Sequence, residues 1–254
     1  MSPILFEYGP LRIATYGVML AIGFLAGLFV LRRELVRKGL DNALADHIVM
    51  AAMIGGIVGG KLFHVLEFPD ALLADPMGTI FSGSGLAWYG GFLGGTGAVF
   101  WTLRRHDALD FNTIDAMAPT LAVGYFFGRG GCQLSGDGCY GIPTDVPWAM
   151  TYPHGTVPTH LYVHPTPLYE MLQMVILFAI LWSLRKRLHP PGLLFALYLI
   201  LAGLSLFSEE FVRRTPEVAL GLTVHQWVSL ALMGIGILLI IRLKRAQEPA
   251  EQKA

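Results

Sequence analysis

The residues whose types and spacing could do chemistry are concentrated in one run, Gly128-Arg129-Gly130-Gly131-Cys132-Gln133-Leu134-Ser135-Gly136-Asp137-Gly138-Cys139-Tyr140-Gly141. An arginine in apolar surroundings costs roughly 2.5–3.5 kcal/mol on insertion scales, so it takes a charged partner or a polar ligand. The six glycines of the run let backbone approach such a ligand and turn N–H groups toward it, as in phosphate cradles. Two compatible readings stand: Arg129 holds an anionic ligand, or it pairs with Asp137. A second feature, His164-Pro165-Thr166-Pro167-Leu168-Tyr169-Glu170, leads through a proline-rich start into an apolar stretch that contains Glu170. An intramembrane carboxylate is a functional candidate, or it neutralises an internal base such as Arg129. A third cluster, Glu209, Glu210, Arg213 and Arg214, ends another apolar stretch and reads as part of the same site or as a solvated cap. Tyr16, Lys61, His64, Tyr89, His225 and Gln226 are further polar groups within apolar stretches, where a lone histidine is more often a satisfied core residue than a catalyst. Convergence is what favours a site: Arg129, Asp137, Glu170, Glu210 and Tyr89 are all expected near the same ends of their helices, lining one cavity.

The elements that must position these groups are membrane helices. Of 254 residues, 54% are hydrophobic and 14% charged, and the mean hydropathy of +0.56 is too apolar for an ordinary soluble domain. Stretches long enough to cross a hydrocarbon core begin near Thr15, Asp46, Leu86, Thr113, Thr166, Pro191 and Val224. The expected fold is therefore an all-α integral membrane protein of about seven transmembrane helices. Glycine seams (Gly55, Gly56, Gly59, Gly60; Gly90, Gly91, Gly94, Gly95, Gly97) mark close helix packing. Basic clusters follow the odd-numbered stretches (Arg32, Arg33, Arg37, Lys38; Arg104, Arg105; Arg185, Lys186, Arg187; Arg242, Lys244, Arg245), which puts the amino terminus outside and the carboxyl terminus in the cytoplasm. Residues 1–246 read as a single helical domain and 247–254 as a disordered cytoplasmic tail. The first stretch is followed by charge rather than a small-residue cleavage site and reads as retained. The connection from Gly141 to Pro165, rich in proline, reads as a periplasmic arm with Trp148, Tyr152 and Tyr162 at headgroup depth.

Cys132 and Cys139 fit a structural disulfide in an oxidising compartment or two free thiols. No metal site is expected, because no second ligand pair stands at a usual spacing. No paired repeat of the transporter kind is visible. Gln133-Leu134-Ser135-Gly136 lacks the glycine two residues before serine that an intramembrane serine protease would carry.

At these residues the chain resembles the bacterial prolipoprotein diacylglyceryl transferases over nearly its whole length. Leu11-Arg12 through Tyr16-Gly17 is similar to the start of the family's first span, Gly60-Lys61 to its Gly-Arg, and Ala74-Asp75-Pro76 to the outer loop that follows. Tyr89-Gly90-Gly91 matches its His-Gly-Gly, Gly128-Arg129 the opening of its signature, and His164 to Glu170 its His-Pro-Ser-Gln-Leu-Tyr-Glu. Glu210-Phe211 with Arg213 matches its late acidic motif, and Gln226 a late glutamine. The resemblance implies transfer of a diacylglyceryl group from phosphatidylglycerol to a lipobox cysteine thiol of secreted precursors, releasing glycerol phosphate, in the bacterial plasma (inner) membrane. It implies catalytic roles for Arg129, Tyr89, Glu210 and Asp137, with Arg129 as phosphate clamp. It implies substrate binding by Tyr16, Lys61, Gly90, Gly91, Ser135, Gly136, His164, Tyr169, Glu170, Arg213 and Gln226. No metal or organic cofactor is implied. The expected partners are phosphatidylglycerol, lipobox-containing precursors and the lipid bilayer, and no nucleic acid. The alternatives are a paralogue serving another acceptor and a non-catalytic phospholipid-binding protein.

The chain departs from the family pattern at defined positions. Where the signature reads Gly-Arg-x-Gly-Asn-Phe-x-Asn-x-Glu, Cys132 and Ser135 replace the two Asn, Asp137 replaces the Glu, and one extra residue precedes Gly141. Tyr89 stands for the histidine, and a phenol with reference pKa of about 10 is the weaker base at neutral pH. Leu206 stands for an arginine four residues before the late Glu, leaving Arg213 and Arg214 as nearby cations.

Overall fold

The computed structural model describes residues 2–8, 11–77 and 87–251. Among them seven helices have 17 residues or more: α1 Thr15–Arg37, α2 Ala43–Glu67, α4 Trp88–Arg105, α5 Phe111–Ser135, α6 Thr166–Leu184, α7 Leu193–Glu209 and α8 Val224–Glu251. A short helix, α3 Pro69–Ala74, follows α2. Helices begin at Thr15, Thr166 and Val224 as the hydropathy suggests, and Asp46, Thr113 and Pro191 fall within a turn of the observed starts. Leu86 lies outside the described residues. The last helix continues to Glu251, past Gln247, where the polar composition suggested a disordered tail.

Among the described residues five stretches are long and apolar enough to cross a membrane: Thr15–Arg37, Ala43–Glu67, Thr166–Leu184, Leu193–Val212 and Val224–Gln247. Their side chains are distributed inside out relative to a water-soluble protein. Leu25, Leu66 and Leu172 are 67%, 70% and 62% exposed, whereas Glu34 and Glu170 are 1% exposed. Apolar surface of that extent around helices with buried carboxylates requires lipid as the solvent, so the chain is a membrane protein.

The all-α expectation omits three small antiparallel sheets among the described residues: β1 Ile4–Tyr8 with β2 Leu11–Ala14, β3 Met150–Tyr152 with β4 Thr159–Val163, and β5 Glu217–Ala219 with β6 Leu222–Thr223. Each pairs backbone groups that a connection leaving a helix would otherwise leave unpaired.

The chain divides into two compact units, one comprising residues up to Leu31 and from Ile114 onward, the other Arg32–Thr113. In the second, α2 and α4 meet along the glycine seam. A Cβ on Gly59 would run into the Gly90 carbonyl and stand 2.8 Å from Gly94 Cα, and one on Gly94 would run into the Gly55 carbonyl. At the end of α1, Glu34 accepts from Arg37 Nη2 at 2.7 Å and Nε at 3.0 Å.

In the first unit the core joins Ala118 and Ala122 of α5, Met174, Leu177 and Leu181 of α6, and Leu194 and Ala202 of α7. Helix α1 packs on α5, where a Cβ on Gly23 would lie 2.9 Å from Phe127 Cβ. Asp115 of α5 fixes the start of α7 by accepting the N–H groups of Gly192 (2.9 Å) and Phe195 (2.8 Å), a carboxylate at the positive end of the helix dipole. Thr223 and Gln226 form a capping box at the start of α8: Gln226 N donates to Thr223 Oγ1 (3.2 Å) and Thr223 N to Gln226 Oε1 (3.0 Å).

Gly59→Val places side-chain atoms inside the α2–α4 contact, and overpacking of this kind costs about 1–3 kcal/mol. Thermal unfolding in detergent is expected to show a clear loss of stability for this variant, while Gly97→Ala, with open space around its Cβ position, stays near wild type.

Candidate active site

Arg129 lies on the last turns of α5 with its guanidinium largely buried, 16% exposed. Its Nε pairs with Glu170 Oε2, its Nη2 donates to the Tyr125 hydroxyl at 2.8 Å, and its Nη1 reaches Cys139 Sγ at 3.7 Å. Tyr125, one turn earlier on the same helix face, itself donates to Glu170 Oε2. Glu170 sits on the first turns of α6, which starts with Pro167 near its N-terminus, where a missing N–H costs nothing. Its other oxygen, Oε1, lies 3.3 Å from Arg213 Nη2. The carboxylate is thus held between two guanidiniums. Glu209, at the end of α7, is also buried.

The segment after α5 brings the glycine-rich run back onto this cluster. Gly136, at φ +60°, ends the helix in the left-handed conformation, its N–H bonded to the Cys132 carbonyl at 2.9 Å. Gly138, at φ +90°, turns the chain again. Cys139 is thereby returned to Arg129, and the Cys132 hydrogen bond together with the nearby guanidinium holds the Cys139 thiol below its ordinary pKa against the opposing effect of burial. Gly131 lets the Tyr16 ring approach: a Cβ there would stand 2.8 Å from Tyr16 Cδ2. A Cβ on Gly141 would collide with the Val212 carbonyl, so glycine is required where the run passes the turn after α7.

The proline-rich connection closes over the same segment. Thr156 N donates to Ser135 O and Val157 N to Gly136 O, both at 2.9 Å. Tyr152 stacks on Tyr140 with ring centroids 4.9 Å apart and donates its hydroxyl to Gln133 Oε1 at 3.0 Å. The expectation that Trp148, Tyr152 and Tyr162 all sit at headgroup depth therefore fails for Tyr152, which is 1% exposed and forms the core of the connection with Tyr140 and Val163. Burial raises its pKa to about 12.

A cleft of about 220 Å³ is lined by Gly138, Cys139, Tyr140, Arg213, Arg214 and Thr215. Arg214 is braced by its Nε on the Gly141 carbonyl (3.0 Å) and by its guanidinium over the Tyr140 ring (5.0 Å). Two arginines and a thiol at the mouth suit a phosphate-bearing ligand.

The expected site residues divide accordingly. Tyr16, Arg129, Ser135, Gly136, Asp137, His164, Tyr169, Glu170, Glu210, Arg213 and Gln226 belong to the first unit, and Lys61, Tyr89, Gly90 and Gly91 to the second. Arg129 takes Glu170 as ion-pair partner, one of the two acids the sequence offered. Several others have their polar groups engaged within the protein. Ser135 Oγ donates to the Gly131 carbonyl (2.7 Å), the Gly136 backbone is bonded on both sides, and Gln226 is in the capping box. Tyr169 receives Trp148 Nε1 (2.7 Å) and meets His164 Nδ1 at 3.1 Å. Glu210 approaches His225 Nδ1 at 3.3 Å. In the second unit, Gly90 lies in the seam with Gly59, and the half-exposed Tyr89 ring stands 6.5 Å from Phe63. Sequence reasoning passed over Tyr125 and did not set Cys139 against Arg129; of the two alternatives offered for Cys132 and Cys139, the second holds, and both are free thiols. The four-residue spacing from Tyr125 to Arg129 was the available signal for the first.

A multi-helix membrane protein with a buried arginine–carboxylate cluster beside an arginine-lined cleft is the class these observations define. The family model for prolipoprotein diacylglyceryl transferase matches residues 3–242, and the chain belongs to that family. It is similar to proteins named phosphatidylglycerol–prolipoprotein diacylglyceryl transferase from several bacteria. That of Nitratidesulfovibrio vulgaris is 34% identical, covering 98% of this chain and 96% of the relative. That of Clostridium tetani is 31% identical over 93% and 96%, and that of Vibrio cholerae 34% over 95% and 91%.

Tyr152→Phe strands the Gln133 carbonyl and is expected to destabilise the protein by about 1–2 kcal/mol, read as a lower melting temperature in detergent. Because the folded-state pKa is raised, the stability contributed by the neutral phenol is complete below the unfolded value of about 10 and is lost as pH rises to about 12. Melting temperatures taken across that window should fall more steeply for wild type than for Tyr152→Phe.

Proposed function

We propose that this chain transfers a diacylglyceryl group from phosphatidylglycerol to the lipobox cysteine thiol of a secreted precursor, releasing glycerol phosphate. The observation that carries the reading is the arrangement of Arg129. Glu170 holds its Nε and so fixes the plane of the guanidinium, while the two Nη groups rest on a phenol and a thiol, both weaker acceptors than a phosphate oxygen. A phosphodiester displaces those two contacts and is held bidentately, and the same donors stabilise the charge that grows on the departing phosphate. Arg213 and Arg214 extend the positive field into the cleft. Glu210 and Asp137 serve the acceptor side, and Tyr16, His164 and Tyr169 shape the lipid site.

The protein works as a multi-pass protein of the bacterial plasma membrane, with all seven long helices spanning. The basic residues after α1, α4 and α6 and at the end of α8 support an external amino terminus and a cytoplasmic carboxyl terminus. In that orientation the cleft and the connection 141–165 face the outer side, where precursors emerge.

Arg129→Ala is expected to lower transfer by about 10²–10³-fold, the scale of losing a transition-state donor, with the protein still inserted. Glu170→Gln should retain the fold with a comparable loss. Both are measured as transfer from labelled phosphatidylglycerol to a lipobox peptide together with released glycerol phosphate, and full activity in either variant would refute the assignment. Tyr89→Phe should lose part of the activity and Tyr89→His retain or exceed it. A Phe variant equal to wild type would remove the hydroxyl from the mechanism.

A further inference from the structure

His225 has no part in the transfer reading so far, yet its ring meets a buried carboxylate. Glu210, with a side chain 2% exposed, brings Oε1 to 3.3 Å from His225 Nδ1. Both atoms are buried, and neither makes a hydrogen bond elsewhere among the described residues, so a proton shared between them is what satisfies both. The His225 side chain as a whole is 38% exposed, and its Nε2 has no hydrogen-bond partner among the described residues. Local structure holds the pair from both sides. The capping box of Thr223 and Gln226 fixes the backbone around His225 at the start of α8, and the His225 carbonyl accepts Ser229 Oγ at 2.7 Å. Glu210 opens a 3-10 turn, Glu210–Val212, and its carbonyl accepts the Arg213 N–H at 3.2 Å. The turn that gives Arg213 to Glu170 and to the cleft therefore also gives Glu210 to His225.

We infer that His225 is the general base that ionises the acceptor thiol, with Glu210 as the positioning residue that orients its ring. An Nδ1–H donated to the carboxylate selects the tautomer whose Nε2 carries the free lone pair, and that nitrogen is the one left open to a ligand. A carboxylate, an imidazole and a nucleophile in series is an arrangement that activates thiols and hydroxyls on unrelated folds. The pair also answers a shortage elsewhere in the chain. Tyr89 stands where a histidine is expected, and a phenol holds its proton at neutral pH, where an imidazole can accept one.

The inference rests on the transfer reading above and assigns its first step. The acceptor S–H gives its proton to His225 Nε2, and the imidazolium so formed is paired with the Glu210 carboxylate. The thiolate sulfur then attacks the terminal carbon of the diacylglyceryl group, forming the C–S bond as the C–O bond to phosphate breaks. Glycerol phosphate leaves with the electron pair of that bond, held by Arg129, and the imidazolium returns its proton to water. Carbon and sulfur exchange partners without oxidation or reduction, so no co-reactant is required.

The test uses the full-length chain in detergent with phosphatidylglycerol and a lipobox peptide. His225→Gln is expected to lower transfer at neutral pH by about 10²–10⁴-fold, the contribution of a positioned general base, with phosphatidylglycerol affinity unchanged. Glu210→Gln should change transfer in the same direction. A peptide carrying selenocysteine in place of the lipobox cysteine has a selenol that ionises at neutral pH without a base. It should restore transfer to both variants and not to Arg129→Ala, a pattern that a merely structural role for the pair does not produce. Transfer at the wild-type rate in His225→Gln overturns the inference, as does failure of the selenol peptide to rescue that variant. A second readout needs no transfer. With phosphatidylglycerol omitted, iodoacetamide should alkylate the protein-bound peptide thiol faster in wild type than in His225→Gln, because the thiolate is the reactive form. Equal alkylation rates overturn the inference. Faster alkylation in wild type with no transfer by any of the proteins supports the base and counts instead against the transfer reading.

Discussion

The polar end of the molecule depends on a single buried carboxylate. Glu170, with both oxygens committed to arginines on different elements, ties α5, α6 and the turn after α7 into one geometry. Removing one partner from such a cluster leaves an uncompensated charge in low dielectric, at a cost of roughly 3–5 kcal/mol. The same pair also carries the proposed function, because the atom of Arg129 that Glu170 holds is Nε, while the two Nη groups rest on Tyr125 and Cys139. On that proposal a structural ion pair and a ligand site are one arrangement. The sequence left open that Glu170 neutralises Arg129, and the ion pair shows that it does.

Placing that cluster in lipid puts demands on the helices around it. Close approach is achieved where side chains are absent, at Gly55, Gly59, Gly90 and Gly94 in one unit and at Gly203 and Gly236 in the other, the last two lying within 2.8 Å or less of α8 and α7 atoms at the positions a Cβ would take. Helix starts are satisfied by their own neighbours, Asp115 for α7 and the Thr223–Gln226 box for α8, since no water is at hand to bond stray N–H groups. Gln226 illustrates how a polar residue in an apolar stretch, expected to bind substrate, has its backbone N–H and side-chain oxygen committed to the fold.

Much of this was legible in the sequence, for physical reasons. Hydropathy finds membrane-length helices because the bilayer tolerates little else, and the starts at Thr15, Thr166 and Val224 follow from it. Arg129 and Glu170 stood out because isolated charges in apolar stretches are costly and must be compensated. What the sequence did not reveal depends on backbone turns and cross-chain pairing. The three hairpins are too short to show a strand pattern. Tyr152 looks like an interfacial aromatic until its hydroxyl is seen on Gln133. The return of Cys139 to Arg129 follows left-handed turns at Gly136 and Gly138, which a reading of residue spacing does not register.

The central claim is that the guanidinium of Arg129 holds the lipid phosphate. The most direct test is phosphatidylglycerol binding to the wild-type protein and to Arg129→Gln, measured by native mass spectrometry from lipid-defined detergent micelles, with diacylglycerol as the phosphate-free control. A lost charge-assisted contact of about 1.5 kcal/mol or more predicts at least about a tenfold weaker affinity for phosphatidylglycerol and no change for diacylglycerol. Equal phosphatidylglycerol affinity in the two proteins would contradict the account.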